Sequence, residues 1–145
     1  MKTTETLDCS VFLFSDWWND NVPQYSLYFD DELISSGEMP KKQNHEIKFQ
    51  RTVGFGPHSI KVRYENRLPT DNLFNNGVSV RSNYIHVYQL RLNQFWAKDF
   101  LDKESTLIVD NEPTYSTSRP SLLDKTSTYS FNFESPFAYF FLPKI

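Results

Sequence analysis

The chain has one cysteine, Cys9, and a lone thiol cannot close an intramolecular disulfide, so the framework of a disulfide-stapled domain is excluded. It has no apolar stretch near the roughly 18 residues that cross a bilayer as a helix. Its start, Met-Lys-Thr-Thr-Glu-Thr, lacks the apolar run of a secretory signal. A soluble protein made in a reducing cytosol is expected, with no membrane partner. Positive charge is not in excess either: Lys+Arg 15 against Asp+Glu 18 gives a formal net charge of -3. No global basic field exists to gather nucleic acid by counterion release, so nucleic acid is not an expected partner. A phosphate-cradling glycine run and a Gly-x-Ser-x-Gly elbow are both absent. His45, His58 and His86 are scattered without the spacing of a zinc set and read as structural. No repeat of about 20 to 50 residues is visible, which excludes solenoids and propellers.

Aromatic residues are abundant: Phe 13, Tyr 8 and Trp 3 make up 17% of 145 residues, more than a helical bundle needs and favourable to strands. The length fits one domain, residues 1–145, able to bury a core without staples. Val11 and Leu13, interleaved with Phe12 and Phe14, read as a strand buried on both sides. Tyr25, Leu27 and Phe29 alternate up to Asp30-Asp31, a pair able to take the positive φ of a tight hairpin. Ile47, Phe49, Arg51 and Val53 alternate before the turn cluster Gly54-Phe-Gly-Pro57. Ile60, Val62 and Tyr64 then oppose Ser59, Lys61, Arg63 and Glu65 with a clear period of two.

From Asn66 to Asn83 the chain is polar and broken by Pro69 and Gly77, and it reads as one long loop. Between Tyr84 and Leu92, Ile85 and Val87 occupy one parity and Leu90 and Leu92 the other, which a β-bulge near Tyr88 reconciles. Gln94 to Asp102 is expected as a short helix, Thr106 to Val109 as a strand, and Asn111 to Ser127 as a surface loop. At the end, Tyr129, Phe131 and Phe133 alternate before a nearly continuous aromatic segment. Short strands separated by turn signals predict an all-β protein, an antiparallel β-sandwich of jelly-roll type with an aromatic C-terminal segment.

Chemistry-bearing residues are few. The acid pairs Asp16 with Asp20 and Asp30 with Asp31 lie at turns, where carboxylates cap amides or face water, so a two-carboxylate hydrolase is disfavoured and no catalytic residue is assigned. Trp17-Trp18 beside Asn19-Asp20 has two readings. Either one indole caps the sandwich while the other is half-exposed, or both stack on a sugar ring while nearby acids and amides take its hydroxyls.

Three pieces carry a family resemblance: Asn21-Val-Pro-Gln-Tyr-Ser-Leu-Tyr-Phe-Asp-Asp31, Gly56-Pro-His-Ser-Ile-Lys-Val-Arg-Tyr-Glu-Asn66, and Arg81-Ser-Asn-Tyr-Ile-His-Val87. In this order, over about residues 10–93, the chain resembles calcium-dependent xylan-binding carbohydrate-binding modules and related small sandwich domains of tailed-phage virion proteins. The resemblance implies a glycan site on Trp17, Trp18, Asp20, Asn66 and Asn83. It also implies a calcium site, whose first loop Asp16 and Asp20 could occupy, with Asp71 a further candidate ligand. The family's anionic positions read Asn66-Arg67 and Arg81-Ser82-Asn83 here, so calcium is expected to bind weakly or not at all unless Asp71, Asn72 or Asn75 compensates.

Phe137, Tyr139, Phe140 and Phe141, set between Pro136 and Leu142, exceed what alternating burial absorbs, and the C-terminal strands and tail of 106–145 are expected to dock a partner through them. The leading expectation is a non-catalytic structural or decoration protein of a tailed-phage virion, bound to other virion proteins or to itself. A glycan-binding module recognising polysaccharide is the alternative.

Overall fold

The computed structural model describes residues 3–97 and 101–137. Its strands are β1 (Thr4–Asp16), β2 (Gln24–Phe29), β3 (Glu32–Glu38), β4 (His45–Gly54), β5 (Gly56–Tyr64), β6 (Asn72–Asn75), β7 (Val78–Ser82), β8 (Tyr84–Leu92), β9 (Phe95–Trp96), β10 (Ser105–Val109), β11 (Leu122–Leu123) and β12 (Ser127–Ser135). One sheet has the order β11-β8-β1-β4, with β9 also pairing to β8, and the other has the order β10-β12-β5-β2-β3. A two-stranded ribbon, β6-β7, stands apart. All the strand pairs are antiparallel, as expected for a jelly-roll type sandwich.

The core follows from period-two patterning. Leu7, Cys9, Val11 and Leu13 of β1 lie beside Ile85, Val87, Leu90 and Leu92 of β8, and all are buried. In the other sheet, Leu27 and Phe29, Ile60, Val62 and Tyr64, and Tyr129, Phe131 and Phe133 are buried. Removing each large apolar side chain from water contributes about 1.5–3 kcal/mol. The parity change in β8 is a bulge: Phe12 pairs with Gln89 and Leu13 with Val87, leaving Tyr88 as the extra residue.

Turn chemistry sets the ends of the strands. Asp30 (φ 47) and Asp31 (φ 69) close the β2-β3 hairpin in the left-handed region. Asp30 Oδ1 accepts from the Ser59 amide at 2.9 Å, its Oδ2 meets His58 Nδ1 at 2.5 Å, and Asp31 takes Lys61 Nζ at 2.6 Å. These turn acids are occupied in tying one strand end to β5.

Several expectations need correction. The stretch 66–83 is not one loop: it contains a 3-10 turn, Pro69–Asp71, and the β6-β7 hairpin. That hairpin turns on Asn76 (φ 53) and Gly77 (φ 78), a dipeptide suited to a tight hairpin turn. The first part of the expected helix at 94–102 is instead a hairpin. Asn93 turns in the left-handed region (φ 56), its side chain accepts from the Asp8 amide, and β9 folds back onto β8. Residues 98–100 of that expectation lie outside the described residues. The 111–127 segment is not all surface, because Ser121 and Leu123 are buried and β11 extends the first sheet. Finally, β1 is not covered on both sides: Phe12 and Phe14 lie half-buried on an outer face.

Candidate functional site: an amide-stapled loop end and an aromatic outer face

Asp71 is 1% exposed and sits at the centre of a hydrogen-bond network. Its Oδ1 accepts from Asn19 Nδ2 (2.8 Å), and its Oδ2 accepts from Asn21 Nδ2 (2.7 Å) and the Leu68 amide (2.8 Å). Its backbone carbonyl accepts from Trp18 Nε1 at 2.8 Å. Asn83 is fully buried, donates to Asn19 Oδ1 and the Asn21 carbonyl, and accepts from the Trp18 amide. Asn66 accepts from the Gln24 amide and donates to Asn21 Oδ1 and the Val22 carbonyl. Arg67 spans the same region through bonds to the Asn83 and Leu68 carbonyls and to Ser82 Oγ.

This network changes the role of two expected glycan contacts. The side-chain amides of Asn66 and Asn83 both donate and accept within the protein, and Asn83 is fully buried, so here they act as loop staples. The expected calcium set is likewise not assembled. Asp16 Oδ1 accepts from the Trp17 amide at 2.8 Å, Asp20 is exposed, and the Asp71 oxygens are taken by N–H donors. Among the described residues no group of three or more His, Cys, Asp or Glu side chains is placed to hold a metal ion. Of the residues named as compensators, Asn72 accepts from Ser79 Oγ within the β6-β7 ribbon, and Asn75 is exposed.

Trp17 and Trp18, both half-buried, line a cleft of about 310 Å³ with Tyr84, Asp16, Lys41, Lys42, Arg81 and Ser82. Trp17 packs against the core, and Lys41 Nζ sits 5.4 Å from its ring centroid. Trp18 is fixed by its indole N–H bond to Asp71.

From Tyr84 the rings continue across the outer face of the β11-β8-β1-β4 sheet. Tyr84 packs near Phe14 (6.4 Å between centroids), His86 near Tyr88 (6.4 Å), and Phe12 against both Tyr88 (6.0 Å) and Trp96 (5.7 Å). Trp96 is 55% exposed, with the Arg91 guanidinium 5.7 Å from its ring centroid. At about 3.3 Å per residue, the row from Tyr84 to the Trp96 partner Arg91 runs roughly 20 Å along β8. Burial, then Asp16, raises the Tyr84 phenol above its ordinary value, and burial, then Glu46, does the same for Tyr88. Burial and then Arg119 lower His86, against a weaker opposing effect of Asp102. The hydroxyls and the imidazole are therefore neutral at pH 7. Sequence reasoning missed Trp96 because it placed that residue in a helix, whereas Tyr84, His86 and Tyr88 lie on the visible alternation of β8.

A larger cleft, about 570 Å³, lies between Leu68 to Phe74 and the loops at 109–112 and 124–126. It offers one exposed ring, Phe74, and its Asp110 is already clamped by Arg63 Nη1 (2.9 Å) and Nη2 (2.5 Å). Greater volume therefore comes with fewer aromatic rings.

The docking segment also changes. Phe137 is 4% exposed and packs edge-on against Phe95 (5.5 Å) and Phe133 (5.6 Å), so it is a core residue and not a docking surface. Pro136 is half-buried beside it, and Tyr139, Phe140, Phe141 and Leu142 lie outside the described residues.

The described residues form a two-sheet antiparallel sandwich with loops stapled at one end and an aromatic outer face on one sheet. Among solved structures, the chain is similar to vCBM60 in complex with galactobiose: 12% identity, TM-score 0.54, 86% of this chain and 98% of that chain covered. At that identity the likeness is one of fold. No family model matches the sequence, and no curated protein matches it.

Proposed function

We propose that this protein is a non-catalytic glycan-binding module that lays a polysaccharide chain along the aromatic outer face. The observation that carries this reading is the ring row Tyr84, Phe14, Tyr88, Phe12 and Trp96, ending in an indole more than half exposed. Flat rings pair with the apolar faces of pyranoses, and neutral phenol and imidazole groups meet hydroxyls without a charge to desolvate. The sandwich shared with a module solved on galactobiose supports it and makes galactan a first probe. Binding is proposed to be independent of calcium, because Asp16, Asp20 and Asp71 do not converge.

The test is affinity electrophoresis and calorimetry with soluble galactans, xylans and bacterial polysaccharides, in calcium and in chelator. Retardation that is insensitive to chelator and weakened by Trp96→Ala or Tyr88→Ala is expected; silence across the panel removes the reading.

Protein docking is the second reading, with a tailed-phage particle as the assembly expected from sequence. Its support is the β6-β7 ribbon, where Phe74 is 58% and Val78 64% exposed, beside exposed Leu73 and Val80. Polar replacement of Phe74 and Val78 would then abolish assembly or self-association, measured by sedimentation, with glycan binding unchanged.

A further inference from the structure

We infer that the cleft at the Tyr84 end of the ring row takes an anionic sugar, one bearing a carboxylate or a sulfate ester. This rests on the glycan-binding reading above and narrows it. Lys41, Lys42 and Arg81 line the cleft, while its single acid, Asp16, has one oxygen turned to the Trp17 amide. Among the described residues none of the three cations has a carboxylate partner, in contrast to Lys48, Arg51, Lys61 and Arg63.

The cations are placed, not merely nearby. The Lys41 ammonium is held over the Trp17 ring, so that wall of the cleft offers positive charge where a bare indole would offer only an apolar face. Lys42 sits in the left-handed region at φ 51, a conformation that costs an ordinary side chain and suits asparagine or glycine better. Its amide donates to the Ser15 carbonyl at 2.9 Å, which anchors the turn against the end of β1. Arg81, on β7, lines the cleft, and its planar guanidinium can take two oxygens of a carboxylate or sulfate side by side. Tyr84 belongs to both the cleft and the ring row, so a chain stacked along β8 would bring one unit to these cations. A net charge of -3 gives the protein no general attraction for polyanions, so their binding would have to be local.

The experiment compares polygalacturonate, its fully methyl-esterified form, a sulfated galactan and neutral galactan on the full chain, at low and raised salt. Lys41→Met and Arg81→Gln, singly and together, accompany the wild type, with thermal melts to show that they fold. At least one acidic polymer should bind roughly ten- to a hundredfold more tightly than its neutral counterpart, weaken with salt, and lose that margin in the double variant. The carboxylate and sulfate arms identify which oxyanion is taken. Equal binding of acidic and neutral chains, or an unchanged double variant, overturns this inference while glycan binding stands. Esterification tests the same point on the wild type should a variant fold poorly. No binding to any polymer overturns both readings.

Discussion

Asp71→Ala removes the acceptor on which Asn19, Asn21 and the Leu68 amide converge. A buried donor left unpaired costs about 1–3 kcal/mol, and donors to a charged acceptor lie toward the upper end. The three losses do not add, because Asn19 and Asn21 are half-buried and can rehydrate, and because deleting a buried carboxylate also recovers some desolvation cost. A net destabilisation of about 3 kcal/mol follows. Unfolding entropy near 2.1 cal/mol/K per residue gives about 0.3 kcal/mol/K for a chain of this length, so the melting temperature should fall by about 10 °C. Asp71→Asn should lose less, about 1–2 kcal/mol, since one oxygen survives while an NH2 faces a donor.

Circular dichroism melts and urea titrations read both variants. The network also predicts that wild-type melting does not respond to calcium or to chelator, because an ion bound only by the folded chain would raise its stability by mass action. If Asp71→Ala melts within about 2 °C of wild type, the amide network does not hold this end of the sandwich. If chelator lowers the wild-type midpoint, the folded chain binds an ion and the calcium-independent reading fails.

Trp96→Ala should reduce polysaccharide affinity roughly two- to tenfold by calorimetry, in line with one exposed stacking contact, and leave the melting temperature nearly unchanged. Phe133→Ala should destabilise by about 3–5 kcal/mol in urea titration, because that buried ring contacts Phe29, Phe131 and Phe137. Burial alone would lower His58, but the Gly54 carbonyl first, then Asp30 and Glu5, outweigh it and hold its pKa above the ordinary value. Its stabilisation is thus full below the unfolded histidine value of about 6.5 and is lost as pH rises through the higher folded value. The urea midpoint of wild type should fall toward that of His58→Gln over this window, and a constant gap between them would refute the linkage. Burial, then Asp8, pushes the Cys9 thiol up to about 12 against the smaller effects of Arg51 and Arg91, so a thiol reagent should label it only at the rate of global unfolding.

The sandwich was legible wherever one face of a strand is buried, because period-two alternation is then enforced by the core. Ile60, Val62 and Tyr64 are such a case, and so is the parity change that marked the bulge at Tyr88. Legibility failed where a turn decided the structure. Asn76-Gly77 between Leu73, Phe74 and Val78, Val80 is a hairpin signature, yet the surrounding asparagines make the segment resemble a loop. Asn93-Gln94 carries no glycine, and the side-chain bond of Asn93 to the Asp8 amide stabilises its turn from a strand 85 residues earlier in the chain. Phe137 resembled a sticky tail because the rings that receive it, Phe95 and Phe133, lie on strands whose meeting is a tertiary fact.

The polar end of the sandwich shows why a binding motif and a structural staple look alike in sequence. Asparagine and aspartate serve either purpose, and the outcome is set by whether donors and acceptors saturate one another. Here the Asp71 carboxylate receives three N–H groups, and the Asn83 side-chain amide spends both its ends on Asn19, Asn21 and Trp18. What such a network leaves over is what can recognise a ligand. The leftover groups are the half-exposed rings from Tyr84 to Trp96 and the cations Lys41, Lys42 and Arg81, none of which the staple uses. On the proposed reading, a loop end held by its own amides would spare a shallow aromatic face the entropy of ordering its own loops when a flexible sugar chain bound there.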